Sequence, residues 1–243
     1  MPKFVSTSEK DLIRKQLLTE LQSWLAHKGP GKEVIHTYTL PASQWSLELD
    51  LVQLAKSLPN KQFFFHCCEN NPDTFWSNQL VVQPKGACAV QRVSANVTAQ
   101  YELGDFERVM HPEAVYQAPW WANSERSPVS MFVWADYCGL PTTERIDHLS
   151  RFSHSNNLVG VTFECKWRTP VSIPAKLLSS DVCAPGRGGQ SKVDTSQRAH
   201  NTHKYVWRRL RRASPDLFVA TKLDLGYKSD HTPMYTGLFH IHT

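Results

Sequence analysis

Two short and almost uninterrupted apolar runs constrain this chain most: Phe63-Phe64-Phe65-His66-Cys67-Cys68 and Met131-Phe132-Val133-Trp134-Ala135. Each is short for a buried helix and too continuous for a strand with one wet face. Each therefore predicts a strand covered on both sides, the kind that belongs to a parallel sheet with helices on both faces. The segments around them fit that picture. Residues 8–28 predict a helix, with Ser8 and Asp11 as a capping-box-like start, Leu12, Leu17, Leu21 and Leu25 at helical spacing, and Gly29 as the stop. Val34 to Leu40 predicts a strand ended by Pro41. Leu47, Leu51, Leu54, Ala55 and Leu58 predict a second helix, stopped by Pro59.

Farther along, the pattern predicts a short helix from Thr74 to Val82 and a strand from Ala87 to Val93. Residues 94–130 offer little beyond a short helix around Phe106 to Val115. Ile146, Leu149 and Phe152 mark another short helix, and Leu158 to Cys165 a strand. Residues 168–190 are rich in loop-forming residues, and 194–213 read as a basic helix. Asp216 to Tyr227 and Met234 to His242 read as closing strands joined by a polar turn. Alternating strands and helices argue for parallel pairing through right-handed crossovers, whereas the short final turn requires an antiparallel pair. The expected fold class is α/β: a mostly parallel twisted sheet flanked by helices and ending in an antiparallel β-hairpin. The expected organisation is an N-terminal helical extension over residues 1–30 and one Rossmann-like domain over 31–243. The 243 residues, 41% of them hydrophobic, are enough for one sizeable core.

Composition narrows the class further. With 20% charged residues, wholesale disorder is not expected. No apolar run approaches the roughly 18–20 residues of a membrane helix. The first sixteen residues lack the apolar stretch of a secretory signal. Cys67, Cys68, Cys88, Cys138, Cys165 and Cys183 form no C-x-x-C pair, and buried free thiols suit a reducing compartment. A soluble, cytoplasmic protein is expected. His200-x-x-His203 is the nearest approach to a zinc pattern, but it lacks a second pair, so no metal is expected.

Ligands of open parallel sheets bind at the carboxyl ends of the strands. Three such ends carry suggestive residues. Thr39-Leu40-Pro41-Ala42-Ser43 makes a small-residue turn into a helix N-terminus. Glu69, closing the Phe-rich strand before Asn70, is placed to accept hydrogen bonds from a ribose diol. Asp136-Tyr137-Cys138-Gly139-Leu140-Pro141 is a polar cluster directly after a buried strand. There Asp136 is placed to orient or deprotonate a substrate, Tyr137 to stack on a base, and Cys138 to act as a nucleophile if its thiol is activated.

The mild formal charge of +5 says less than its distribution. Arg187, Lys192, Arg198, Lys204, Arg208, Arg209, Arg211 and Arg212 fall in one stretch with Asp194 as its only acid. His200, His203, Tyr205 and Trp207 are interleaved with them. Cations alternating with rings suit phosphates and unpaired bases, so a nucleic-acid partner is expected.

In its strand order the chain resembles the class I S-adenosylmethionine-dependent methyltransferase superfamily over roughly residues 34–243. The resemblance implies a cofactor loop at Thr39, Leu40 and Pro41, although Leu40-Pro41 stands where the family has glycines. It implies a ribose-holding acid at Glu69, beside Asn70, and an adenine-side acid at Asp105 in Leu103-Gly104-Asp105-Phe106. It places the catalytic strand-four motif on Asp136-Tyr137-Cys138-Gly139, without the prolines usual there. The function implied is methyl transfer from S-adenosylmethionine to a nucleic acid. The alternatives are a non-catalytic nucleic-acid-binding module on a degenerate methyltransferase fold, or another nucleic-acid enzyme such as a nuclease or base-excising hydrolase.

Overall fold

The structure, a computed structural model, describes residues 8–28, 33–40, 46–76, 88–110, 129–137, 139, 141–164, 195–229 and 232–243. In chain order its elements are α1 (Ser8–Ala26), β1 (Glu33–Thr39), α2 (Ser46–Lys56), β2 (Lys61–Glu69), α3 (Pro72–Trp76), β3 (Cys88–Ser94), β4 (Val97–Leu103) and α4 (Phe106–Val109). They continue with β5 (Val129–Asp136), α5 (Thr143–Ser150), β6 (Asn157–Glu164), α6 (Thr195–Ala213), β7 (Phe218–Ser229) and β8 (Thr232–His242). The strands form one mixed eight-stranded sheet in the order β3-β4-β2-β1-β5-β6-β8-β7. The expected α/β architecture with its closing antiparallel hairpin is borne out. The described residues divide into two compact units, one within residues 14–135 and the other made of residues 8–13 and those within 136–243.

In the first unit, β1 lies between β2 and β5 and runs parallel to both, with β4 parallel on the far side of β2. The chain crosses from β1 to β2 on one side, whereas β5 joins β1 on the other. That reversal makes the carboxyl end of β1 a topological switch point, where open α/β sheets open a crevice for ligands. The burial of all seven β1 residues follows from this central position.

One strand escaped the sequence reading. β4 pairs antiparallel with β3 through a tight turn at Ala95-Asn96. Its Val97, Ala99 and Tyr101 are buried, alternating with half-buried Thr98 and Gln100. The period of two was present, but the polar members diluted it. Asn96 locks this turn to the body: its amide nitrogen donates to the carbonyls of Ala55 (2.8 Å), Leu58 (3.1 Å) and Lys61 (3.2 Å). It thereby ties the β3–β4 turn to the segment that runs from the end of α2 to the start of β2. Helix α3 begins at Pro72, two residues before the expected Thr74. Asn71 Oδ1 accepts from the backbone N–H of Asp73 (2.9 Å) and Thr74 (3.2 Å), and proline suits the first helical turn. The rest of the helix expected over 74–82 lies outside the described residues.

A ring stack fills one face of β1 and β2. The parallel register sets His36 opposite Phe64 and Tyr38 opposite His66. Centroids lie 5.3 Å apart for His36 and Phe64, 5.2 Å for His36 and His66, and 4.5 Å for Tyr38 and His66. His36 Nδ1 and His66 Nε2 are 2.9 Å apart and share a hydrogen bond. Burial lowers the pKa of both: His36 falls to about 2, helped by the neighbouring His66, and His66 to about 4. The unfolded chain binds protons at these sites near pH 6.5, where the folded chain does not, so stability rises with pH across that window. Stability should therefore be full above pH 6.5 and fall as acid is added. His66 alone should cost about 3 kcal/mol by pH 4, at about 1.4 kcal/mol per pKa unit. Urea unfolding midpoints at pH 7, 6 and 5 check this, and a flat profile would contradict it.

At the opposite end of the same strands sits a buried ion cluster. Glu33 Oε1 lies 3.2 Å from Lys28 Nζ and accepts from Ser130 Oγ at 2.6 Å, while Glu33 Oε2 lies 3.4 Å from Lys61 Nζ. Lys28 Nζ also donates to Ser130 Oγ at 2.5 Å and stands 4.1 Å from the centre of the Trp24 ring. All three charged side chains are at most 9% exposed.

In the second unit, β8 pairs antiparallel with both β6 and β7, and α6 packs on the hairpin. Val206 and Leu210 enter the core from α6. Ser153 Oγ donates to the Leu210 carbonyl at 3.1 Å, and the Thr162 and Thr236 hydroxyls meet at 3.1 Å across β6 and β8. Among the described residues no helix is long and apolar enough to cross a membrane.

Candidate functional site

The carboxyl rim of the first unit gathers several of the residues singled out in the sequence. Thr39 ends β1 fully buried, and its hydroxyl points to Cys67 Sγ at 3.6 Å. Thr39 is opposite Trp134 of β5 and Cys67 of β2, so it stands at the switch point itself. Leu40 follows it, half-buried. Pro41 lies outside the described residues.

Glu69 ends β2, half-buried and opposite Leu103 of β4. Its Oε1 accepts from the Asn71 backbone N–H at 2.8 Å. Burial raises the Glu69 pKa, and the backbone N–H groups of Asn71 and Asn70 pull it back. The carboxylate is thus partly desolvated and oriented by the turn that caps α3. Such a group binds hydroxyls more strongly than a fully solvated acid does.

Asp105 sits one residue past the neighbouring Gly104, half-exposed. It accepts from Asn70 Nδ2 at 3.3 Å, and Arg108 Nε lies 3.8 Å from its second oxygen. Gly104 ties the two acid-bearing ends together. Its N–H donates to the Glu69 carbonyl at 3.0 Å, and its own carbonyl accepts from Cys68 Sγ at 2.7 Å. A Cβ on Gly104 would lie 2.6 Å from Val109 Cγ1, so the close approach of α4 requires glycine. Glu69, Asn70 and Asp105 are therefore brought together at adjacent strand ends, with Thr39 on the next strand over.

Sequence reasoning passed over Glu48. It lies in the first turn of α2 and is buried, and its charge helps raise the Cys67 thiol and the Tyr101 hydroxyl. A lone Glu in an amphipathic helix gives no signal of burial, because only the packing of α2 puts it inside. Burial itself raises Cys67 and Cys68 far from the thiolate form, so both are inert packing groups.

In the second unit, Asp136 is the last residue of β5 and is half-buried. Tyr137 is buried, and its ring lies parallel to Phe163 at 5.3 Å with the Arg145 guanidinium 4.7 Å from its centre. Its N–H donates to the Thr162 carbonyl at 3.1 Å, and Glu164 N–H donates to the Gly139 carbonyl at 2.9 Å. These bonds lace the strand-four loop to β6. They make Tyr137 a ring that fixes this loop, with its stacking surface already engaged by Phe163 and Arg145. Cys138 lies outside the described residues.

Of the basic stretch, Arg187 and Lys192 lie outside the described residues, and Arg198 falls in α6 with its side chain undescribed. Lys204, Arg208, Arg211 and Arg212 are exposed on α6, whereas Arg209 forms an ion pair with Asp147 of α5. Of the interleaved rings, His200 has its side chain undescribed, Tyr205 is half-buried, and His203 and Trp207 bond to the hairpin beneath. His203 is buried, with Nδ1 2.9 Å from the Tyr235 hydroxyl and Nε2 3.1 Å from the Thr221 hydroxyl. Trp207 Nε1 donates to the Val219 carbonyl at 2.9 Å, and the Arg211 guanidinium lies 5.3 Å from its ring centre. Both nitrogens of His203 are engaged, so it has none to offer a zinc ion. Among the described residues no cluster of His, Cys, Asp and Glu could hold a metal.

The sheet order, the switch point and the closing hairpin define an α/β protein of methyltransferase-like fold. No family model matches the chain, and no curated protein matches it. Among solved structures, a mutant of the 16S rRNA (adenine(1408)-N(1))-methyltransferase from Catenulisporales acidiphilia aligns over 91% of each chain, at 10% identity and a TM-score of 0.38. A likeness of that degree carries no inference about activity.

Proposed function

We propose that this chain binds S-adenosylmethionine at the carboxyl rim of β1, β2 and β4 and transfers its methyl group to a nucleic acid in the cytoplasm. The observation that carries the reading is the pairing of Glu69 and Asp105 at adjacent strand ends, joined by the Gly104 N–H bond to the Glu69 carbonyl. In the reading, Glu69 accepts the ribose hydroxyls and Asp105, steadied by Asn70, faces the adenine side. Thr39 and Leu40, with Pro41, line the turn where the chain leaves β1. The cofactor supplies an activated methyl group on sulfonium. The protein then has to align the acceptor and take up its proton, the task assigned to Asp136, whose loop also carries Tyr137 and Cys138. The exposed cations of α6 supply the charge that a polyanionic acceptor needs.

Isothermal titration with S-adenosylhomocysteine tests the reading. One saturable site is expected, and Glu69→Ala should weaken it at least tenfold, about 1.4 kcal/mol, the scale of a lost hydrogen bond to a charged group. Asp136→Asn should keep that site while abolishing transfer of a tritiated methyl group to RNA or DNA. No heat at millimolar ligand overturns the cofactor assignment. Leu40-Pro41 in place of glycines favours a second reading, a non-catalytic nucleic-acid-binding module, for which the absence of heat is the expected result.

A further inference from the structure

We infer that α6 is a docking surface for the phosphate backbone of a nucleic-acid duplex, one that grips charge and reads no bases. The inference rests on the nucleic-acid part of the function proposed above and sharpens it. Lys204, Arg208, Arg211 and Arg212 are all exposed, and no carboxylate pairs with them among the described residues. At 3.6 residues per turn they fall within about 100° of one helix face and span about 12 Å along it. At about 3.4 Å per nucleotide step, that length covers roughly four phosphates of one strand of a helical duplex.

Two features select the duplex over other polyanions. Proteins that grip single strands add aromatic platforms on which bases stack. Among the described rings of α6 none is a free platform: His203 is buried and bonded on both ring nitrogens, Trp207 is tied to the Val219 carbonyl, and Tyr205 is half-buried. A lipid surface would want an apolar flank beside the cations. The apolar residues of α6, Val206 and Leu210, are instead consumed by the core of the second unit.

Fluorescence anisotropy with labelled oligonucleotides tests this. Two 16-base-pair duplexes of unrelated sequence should bind within about threefold of each other, and more tightly than their separated strands. For four phosphate contacts, log K should fall with log[salt] at a slope of about −3.6 on duplex DNA. Lys204→Ala should flatten the slope by about one. Neutralising all four residues together should lower affinity at least tenfold, with circular dichroism confirming that the variant is folded. Undiminished binding by the folded quadruple variant would overturn the inference. So would a preference for single strands, or binding to phosphatidylserine vesicles with none to duplex. Titration of S-adenosylhomocysteine into the wild-type protein reports separately on the cofactor reading. Heat without duplex binding sinks the docking surface alone, and duplex binding without heat leaves it standing while the cofactor reading falls.

Discussion

Glu33→Ala should destabilise the protein by about 3–5 kcal/mol, the usual cost of stranding a buried charge. Glu33 pairs with both Lys28 and Lys61, whose ammonium groups approach it within 3.4 Å. Burial already lowers the Lys28 pKa, and the attraction of Glu33 opposes that fall. With the carboxylate gone, two like charges remain beside each other and Ser130 loses its acceptor. Replacing the whole cluster behaves differently. Glu33→Leu combined with Lys28→Met and Lys61→Met should lie far closer to wild type, because apolar groups of similar volume recover the desolvation cost. Guanidinium denaturation of the single and triple variants measures both. A loss below about 1 kcal/mol for Glu33→Ala would mean that the lysines reach water, contrary to their burial.

Gly237→Ala should be nearly as damaging, at about 3 kcal/mol or more, combining the costs of overpacking and of a broken buried hydrogen bond. A Cβ at this position would collide with the Tyr235 hydroxyl and come within 3.0 Å of Phe239 Cε2. Tyr235 is fully buried, so its ring has nowhere to swing, and its hydroxyl holds His203 Nδ1 at 2.9 Å. Tyr235→Phe removes the colliding oxygen. The pair Gly237→Ala with Tyr235→Phe should therefore cost less than the sum of the two single changes in a thermal-unfolding cycle. Strict additivity would show that the oxygen is not what the new methyl group meets.

The architecture was legible wherever burial was complete. The Phe-rich run and Met131 to Ala135 both became strands, because a continuous apolar run of that length has few other ways to be covered. β4 was not legible, because its outward Thr98, Gln100 and Glu102 hid the buried alternate residues. The missed strand matters for the site: it delivers Gly104 and Asp105 to the rim beside Glu69, a neighbourhood that rests on pairing between β2 and β4 rather than on any local pattern. The rings of α6 show the converse. Their spacing suggested stacking platforms, yet Trp207 and His203 bond to the hairpin beneath, because a helix facing a sheet turns its large residues inward. The His36 and His66 pair left no trace in composition either, since only the parallel register of β1 and β2 joins them.

The most direct measurement is ultraviolet cross-linking of methyl-tritiated S-adenosylmethionine, followed by mapping of the labelled peptides. The account places the label in peptides carrying Thr39-Leu40, Glu69-Asn70 or Gly104-Asp105, displaced by S-adenosylhomocysteine and lost in Glu69→Ala. Label confined to other peptides, or none that the competitor displaces, would contradict a cofactor at this rim.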